Sequence, residues 1–196
     1  MERCYKYLNM KFNKKEIENI AMQLRQGNVG VFPFDTIWGI TGVIDEGVVE
    51  RINKIKSRPK DQPLLIVISS MDSLVGCVKE LQDWQVNMIN DVWPGPISIV
   101  FQKSENIPGY VTGGKETIGI RLPVFEPLNY LLDCVGQPLV STSANFSKQK
   151  EANQYKDIPG EIISAVDFVC NSFIPPLGEA SRVIDCSVDK VKIIRP

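Results

Sequence analysis

A chain of 196 residues with 43% hydrophobic and 23% charged residues, and no biased tract, belongs to a folded globular protein and not to a disordered or fibrous one. Its net charge of -1 excludes a globally basic nucleic-acid binder and leaves room for a local basic cleft balanced elsewhere. The absence of histidine excludes Ser-His-Asp and Cys-His nucleophile activation, so chemistry here must run on Lys, Arg, carboxylates, hydroxyls, amides and Mg2+.

In chain order, the N-terminal MERCYKYLNMKF lacks the apolar core of a secretory leader, and no apolar run approaches the roughly 20 residues of a membrane helix. Asn13 and Glu16 read as a capping box before a helix that buries Ile17, Ile20, Ala21 and Leu24 and stops at Gly27. NVGVFPF (28–34) and TIWGITGVI (36–44) have strand composition, interrupted by Pro33 and Gly39. Asp45 to Lys56 returns to helical spacing, and LLIVIS (64–69) is a fully apolar strand, which completes a β-α-β unit.

Ser73–Leu81 and Trp84–Val92 read as helices, and PISIVFQK (96–103) and TIGIRLP (117–123) as strands. Trp93, Pro94 and Gly95 mark a turn with an aromatic anchor in the core. Pro127 and Gly136 bracket a further helix, and QPLVS forms the next buried strand. NFSKQKEANQYKD is a polar, mobile loop. A short helix from Pro159, the strand DFVCNS, the loop IPPLGEA and a hairpin of RVIDCS with VKIIRP complete the chain. Helices alternate with strands, but short strand-to-strand links also occur, so the sheet is expected to be mixed. A single domain over residues 1–196 is expected. The five cysteines are scattered without a C-x-x-C pair, which fits reduced thiols in a cytoplasm.

Four segments could carry chemistry. GYVTGGKE (109–116) nearly fits a phosphate-cradling loop, but Glu116 replaces the hydroxyl that would hold Mg2+, and the segment runs into a strand where such a loop needs a helix. In IKSRPKDQPL, Lys56 and Arg58 leave a helix that Pro59 ends; an extended exit would aim both cations one way and suit a polyphosphate. Equally, the two could only complement the negative end of the helix dipole. STSANFS (141–147) follows a buried strand, where its hydroxyls and amide serve either a turn or a ligand beyond the strand's carboxyl end. Arg121 shares a strand face with Thr117 and Gly119, at a solvated edge or in a polar cavity.

FPFDTIWGI, IKSRPKDQPL, VWPGPISIVF, ETIGIRLP, PLVSTSANFS, SRVID and IIRP, in this order, resemble the YrdC/TsaC family of threonylcarbamoyl-adenylate synthases over nearly the entire chain. The resemblance implies an α/β fold: a twisted mixed parallel and antiparallel sheet with flanking helices around a large basic concave cavity, in the form without an extra C-terminal domain. It further implies that threonine and bicarbonate form a carbamate whose oxygen attacks the α-phosphate of ATP, giving threonylcarbamoyl-AMP and pyrophosphate, with Mg2+ borne by ATP and no metal held by the protein. The product serves threonylcarbamoyl adenosine in tRNA through a downstream transferase machinery, and weak tRNA binding by this chain is a further expectation.

By the same resemblance, Lys56 and Arg58 meet the phosphates and carry the catalysis. Gln62, Thr117, Ser143 and Asn145 lie on the nucleotide side, and Arg195 stands near the phosphates. Thr36, Arg121, Ser141 and Ser181 line the threonine pocket. The chain departs from the family pattern at Phe34, usually Thr, and at Trp38, usually Tyr, which together enlarge the apolar wall. Lys148, Val67 and Arg182 are further departures. Two alternatives share these features: a carbamoyl-adenylate enzyme of the same fold, and a non-catalytic RNA-binding module.

Overall fold

The computed structural model describes residues 12–175 and 177–196; the N-terminal stretch read for a leader, with Cys4, lies outside the described residues. The elements are α1 (Lys14–Arg25), β1 (Gly30–Pro33), β2 (Trp38–Val43), α2 (Glu46–Ile55), β3 (Leu65–Val67), α3 (Met71–Val75), α4 (Asp83–Val92), β4 (Ile97–Gln102), α5 (Gly109–Thr112), β5 (Thr117–Arg121), α6 (Glu126–Val135), β6 (Leu139–Ser143), α7 (Gly160–Ala165), β7 (Phe168–Val169), β8 (Arg182–Asp185) and β9 (Lys192–Arg195). None of these helices is long and apolar enough to cross a membrane.

Local chemistry sets the helix ends. Asn13 caps α1 by accepting from the Glu16 N–H, and the Asp45 carboxylate accepts from the Val48 N–H at 3.1 Å to start α2. Gly136 ends α6 at φ 76°, a left-handed cap that a side chain resists. The apolar stripe of α1 is buried through Ile17, Ile20, Ala21 and Leu24, and the helix packs on α6.

The sheet order is β7-β1-β2-β6-β3-β5-β4-β8-β9. β1–β2, β2–β6, β3–β6, β4–β5 and β8–β9 run antiparallel, while β1–β7, β3–β5 and β4–β8 run parallel. The mixed sheet is as expected, and the β-α-β crossover from β2 to β3 leaves a gap that β6 fills. The central strands carry the core: Val31, Ile40, Ile66, Ile99, Ile120, Leu139 and Val140 are all fully buried.

Three expectations are corrected. The helix read over Ser73–Leu81 is only α3, Met71–Val75; beyond Gly76, Val78 bridges to Lys103 beside β4, so sheet pairing overrides the helical spacing. Gly39 does not interrupt β2 but lies within it, because a Cβ there would come 2.5 Å from the Phe34 ring that crosses over the strand. The polar 145–157 segment is tied down: Trp38 N–H donates to Ala152 O (3.3 Å), Ser147 N–H donates to Lys56 O (3.1 Å), and Ala152 is fully buried.

Candidate active site

Alternation along β5 begins the site. Ile118 and Ile120 point into the core, while Thr117, Gly119 and Arg121 face a cavity of about 760 Å³ above the sheet. That volume is in the range of small-molecule sites. β6 contributes Ser141 and Ser143 at its carboxyl end, where ligands of α/β sheets gather. β8 and β9 close the far side with Val183, Asp185, Ile194 and Arg195.

Arg121 is in the cavity wall and not at a solvated edge. At 4% exposure it pairs with Asp35 (3.2 Å), donates to Thr36 Oγ1 (3.0 Å) and lies over the Phe34 ring, 5.7 Å from its centroid. Burial pushes the Asp35 carboxyl upward and the Arg121 guanidinium downward, and each charge opposes the shift in the other. The guanidinium keeps Nε without a hydrogen bond within the described residues. That nitrogen is itself buried; it is as a residue of the cavity lining that Arg121 presents an oriented cation to an anion.

The K-x-R pair does not leave α2 extended. Lys56 still has helical backbone, and Ser57 turns through φ 50°, so the two side chains diverge. Arg58 lines the cavity and donates to Thr142 Oγ1 (2.9 Å) and to Pro63 O. Lys56, 2% exposed, goes behind the wall: its ammonium donates to Asn145 O (2.6 Å), to Asn145 Oδ1 (2.9 Å) and to Ser143 O. Burial and the Arg58 charge push the Lys56 amine down to about 7, against the pull of Glu151, while the surrounding oxygens favour the ammonium. Asn145 itself accepts from Ser143 Oγ (2.6 Å) and donates to Gln149 O (2.6 Å). Lys56 and Asn145 therefore shape the STSANFS loop from below.

Of the other expected residues, Thr36, Thr117, Ser141, Ser143, Ser181 and Arg195 line the cavity, whereas Gln62, half-buried, does not. Ser181 Oγ is 2.9 Å from Ser98 Oγ, and Arg195 donates to Ser181 O (2.7 Å) and Ser181 Oγ (3.1 Å). Arg195 also pairs with Glu151 at 3.2 Å, across the cavity mouth. Phe34 and Trp38, each about 1% exposed, form the apolar wall, and the Trp38 indole N–H has no partner within the described residues.

Asp35, Ser98, Thr142, Glu151 and Lys115 also belong to the site and were not anticipated. Asp35 had a signal: an acid inside an apolar run must find a cation, and the strand arginine was the available one.

A family model described as Telomere recombination, covering Sua5, YciO and YrdC proteins, matches residues 22–196. The chain belongs to the Sua5/YciO/YrdC family. Within it, the chain is 30% identical over 174 residues to the threonylcarbamoyl-AMP synthase of Pyrococcus abyssi, a match over 88% of this chain and 51% of that protein. It is also 30% identical over 189 residues to the putative threonylcarbamoyl-AMP synthase of Methanocaldococcus jannaschii, over 96% and 88% of the two chains. The crystal structure of P. abyssi Sua5 complexed with L-threonine superposes with a TM-score of 0.90 at 29% identity, over 95% of this chain and 55% of that one. This chain thus spans about half the length of the P. abyssi protein.

Proposed function

We propose that this protein is an L-threonylcarbamoyladenylate synthase: it converts L-threonine, bicarbonate and ATP to threonylcarbamoyl-AMP and pyrophosphate. The observation that carries the reading is the cavity's division of charge. At one end the buried Arg121, held by Asp35 and Thr36, stands among hydroxyls, with Arg195 beside that end through its bonds to Ser181; toward the other end stands Arg58, bonded to Thr142 and Pro63. An amino acid with a carboxylate and a hydroxyl suits the first end, and a polyphosphate suits the second. The family membership and the L-threonine complex of the P. abyssi relative support the synthase reading.

In this reading Arg121 pairs with the threonine carboxylate, and Thr36, Ser141 and Ser181 surround its hydroxyl. The threonine amine takes up bicarbonate carbon with loss of water, and a carbamate oxygen then attacks the α-phosphorus of ATP as pyrophosphate leaves. No protein nucleophile is required, since positioning and charge neutralisation suffice for transfer at phosphorus. Mg2+ comes with the nucleotide as part of the substrate. Arg58 meets the phosphate charge that grows at the transition state, with Thr117 and Ser143 along the nucleotide. Lys56 and Asn145 hold the loop that carries Ser143.

The protein acts in the cytoplasm, where the described free cysteines stay reduced, and passes its product to a tRNA threonylcarbamoyl-transferase machinery. Any binding of tRNA by this chain is weak and made through phosphates.

Steady-state kinetics of two variants test the allocation. Arg121→Ala raises KM for L-threonine with little change for ATP, because its partner is charged throughout the reaction. Arg58→Ala lowers kcat and raises KM for ATP. An Arg121→Ala protein that is folded and keeps the wild-type threonine dependence contradicts the assignment.

A further inference from the structure

We infer that Lys115 is the cation that receives the terminal phosphates of the nucleotide, and so the leaving pyrophosphate; this deepens the ATP-dependent reading above and rests on it. Lys115, Thr117, Gly119 and Arg121 all line the cavity, every second residue along one face, while Ile118 and Ile120 between them are buried in the core. The pairing with β4 continues past Thr117 to Glu116, whose carbonyl accepts from the Lys103 N–H at 2.9 Å, and Lys115 enters the cavity lining just beyond the strand. The six steps of chain from Lys115 to Arg121, four of them within β5, reach at most about 20 Å when extended. At the inner end is the buried Arg121; at the outer end is the exposed Lys115. The face of β5 and the segment just before it thus set two cations apart along the cavity, with a glycine between them where no side chain intrudes.

Lys115 stands apart from the other cations of the cavity. Arg121 is paired with Asp35 and Arg195 with Glu151, while the Lys56 ammonium is enclosed by the oxygens of Ser143 and Asn145. Arg58 is partly committed to Thr142 and Pro63. Among the described residues, no carboxylate lies within 4 Å of the Lys115 ammonium. Its charge is available for an incoming anion without breaking a pair.

The glycines before it explain its location. Gly113 takes φ 61°, and a Cβ there would come 2.4 Å from the carbonyl of Asp61, so the turn is pressed against the segment that follows Arg58. Leu64 N–H donates to Val111 O at 2.9 Å, which ties the same two segments together. GYVTGGKE is therefore no phosphate-cradling loop: its helical turn α5 precedes the glycines and a strand follows them. Its lysine still arrives at the cavity, on the segment packed beside the one that carries Arg58.

The test is calorimetric titration of ATP and of AMP, with Mg2+, into wild type, Lys115→Gln and Lys115→Arg at low and high salt. Lys115→Gln is expected to weaken ATP about tenfold, the worth of one charge-assisted contact, and to leave AMP within about twofold. Its ATP affinity should also depend less on salt, and Lys115→Arg should recover most of the loss. Wild-type ATP affinity with no change in Lys115→Gln, or an equal loss for ATP and AMP, overturns the inference while leaving the synthase reading intact. No ATP binding by the wild type removes both.

Discussion

The Lys56 ammonium donates to both oxygens of Asn145, at 2.6 Å to the backbone carbonyl and 2.9 Å to the side chain, and so fastens the end of α2 to the loop after β6. The two cations of the K-x-R segment consequently have separate tasks. Arg58 faces the cavity, and Lys56 supports the wall from behind. Lys56→Met keeps the apolar stem but leaves buried oxygens without a donor. A loss of about 2–4 kcal/mol in urea unfolding is expected, with a fall in turnover as the Ser143 loop shifts.

The same lysine gives stability a pH dependence with a definite sign. Its folded pKa, about 7, is below the ordinary value of 10.5. Between these values the unfolded chain holds the proton that the folded chain has lost, so this group's contribution rises with pH across that window. Below pH 7 both states are protonated and the full cost of burying the charge is present. Unfolding at pH 6 and pH 9 should therefore show the advantage of wild type over Lys56→Met growing toward the higher pH.

Asp35 is the counter-charge of Arg121, and removing it strands a buried guanidinium. Asp35→Asn should cost about 3–5 kcal/mol in stability. Adding Arg121→Met to it should recover much of that loss, with a coupling energy above about 1 kcal/mol in the double-mutant cycle. Strict additivity of the two changes would mean that the pair is not an energetic unit.

Glu151 and Arg195 face each other in partly exposed positions, so their pairing contributes little to folding. Glu151→Gln should change stability by less than about 1 kcal/mol. It frees Arg195 for phosphate, so KM for ATP should fall a few-fold at low ionic strength, and the gain should fade as salt is added. Kinetics at two salt concentrations check this.

Much of the fold was legible because its signals are local. The Asn13 cap, the helical spacing from Asp45, the Gly136 stop and the apolar runs of β3 and β6 each act within a few residues, and the structure has those elements in place. The helical spacing after Ser73 misled because the pairing of Val78 with Lys103 is a long-range contact that no short window contains. The site divides the same way. Alternation along β5 foretold which face carries Thr117 and Arg121, and the next step of the same alternation would have reached Lys115. The divergence of Lys56 from Arg58 depends on one left-handed residue, Ser57, whose sequence gives no warning of it. Asp35 and Glu151 find their cations across 86 and 44 positions of chain, respectively, distances that only the folded sheet closes.

The central claim is that this cavity joins threonine, as its carbamate, to the α-phosphate of ATP. The most direct measurement is pyrophosphate release by the purified protein with ATP, Mg2+ and bicarbonate, with each amino acid in turn and with none, together with the mass of the adenylate formed. Release should require bicarbonate, should be greatest with L-threonine because a pocket that reads a hydroxyl rejects analogues lacking it, and should yield the mass of threonylcarbamoyl-AMP. Equal release with no amino acid present would contradict the account, as would an adenylate whose mass does not include threonine.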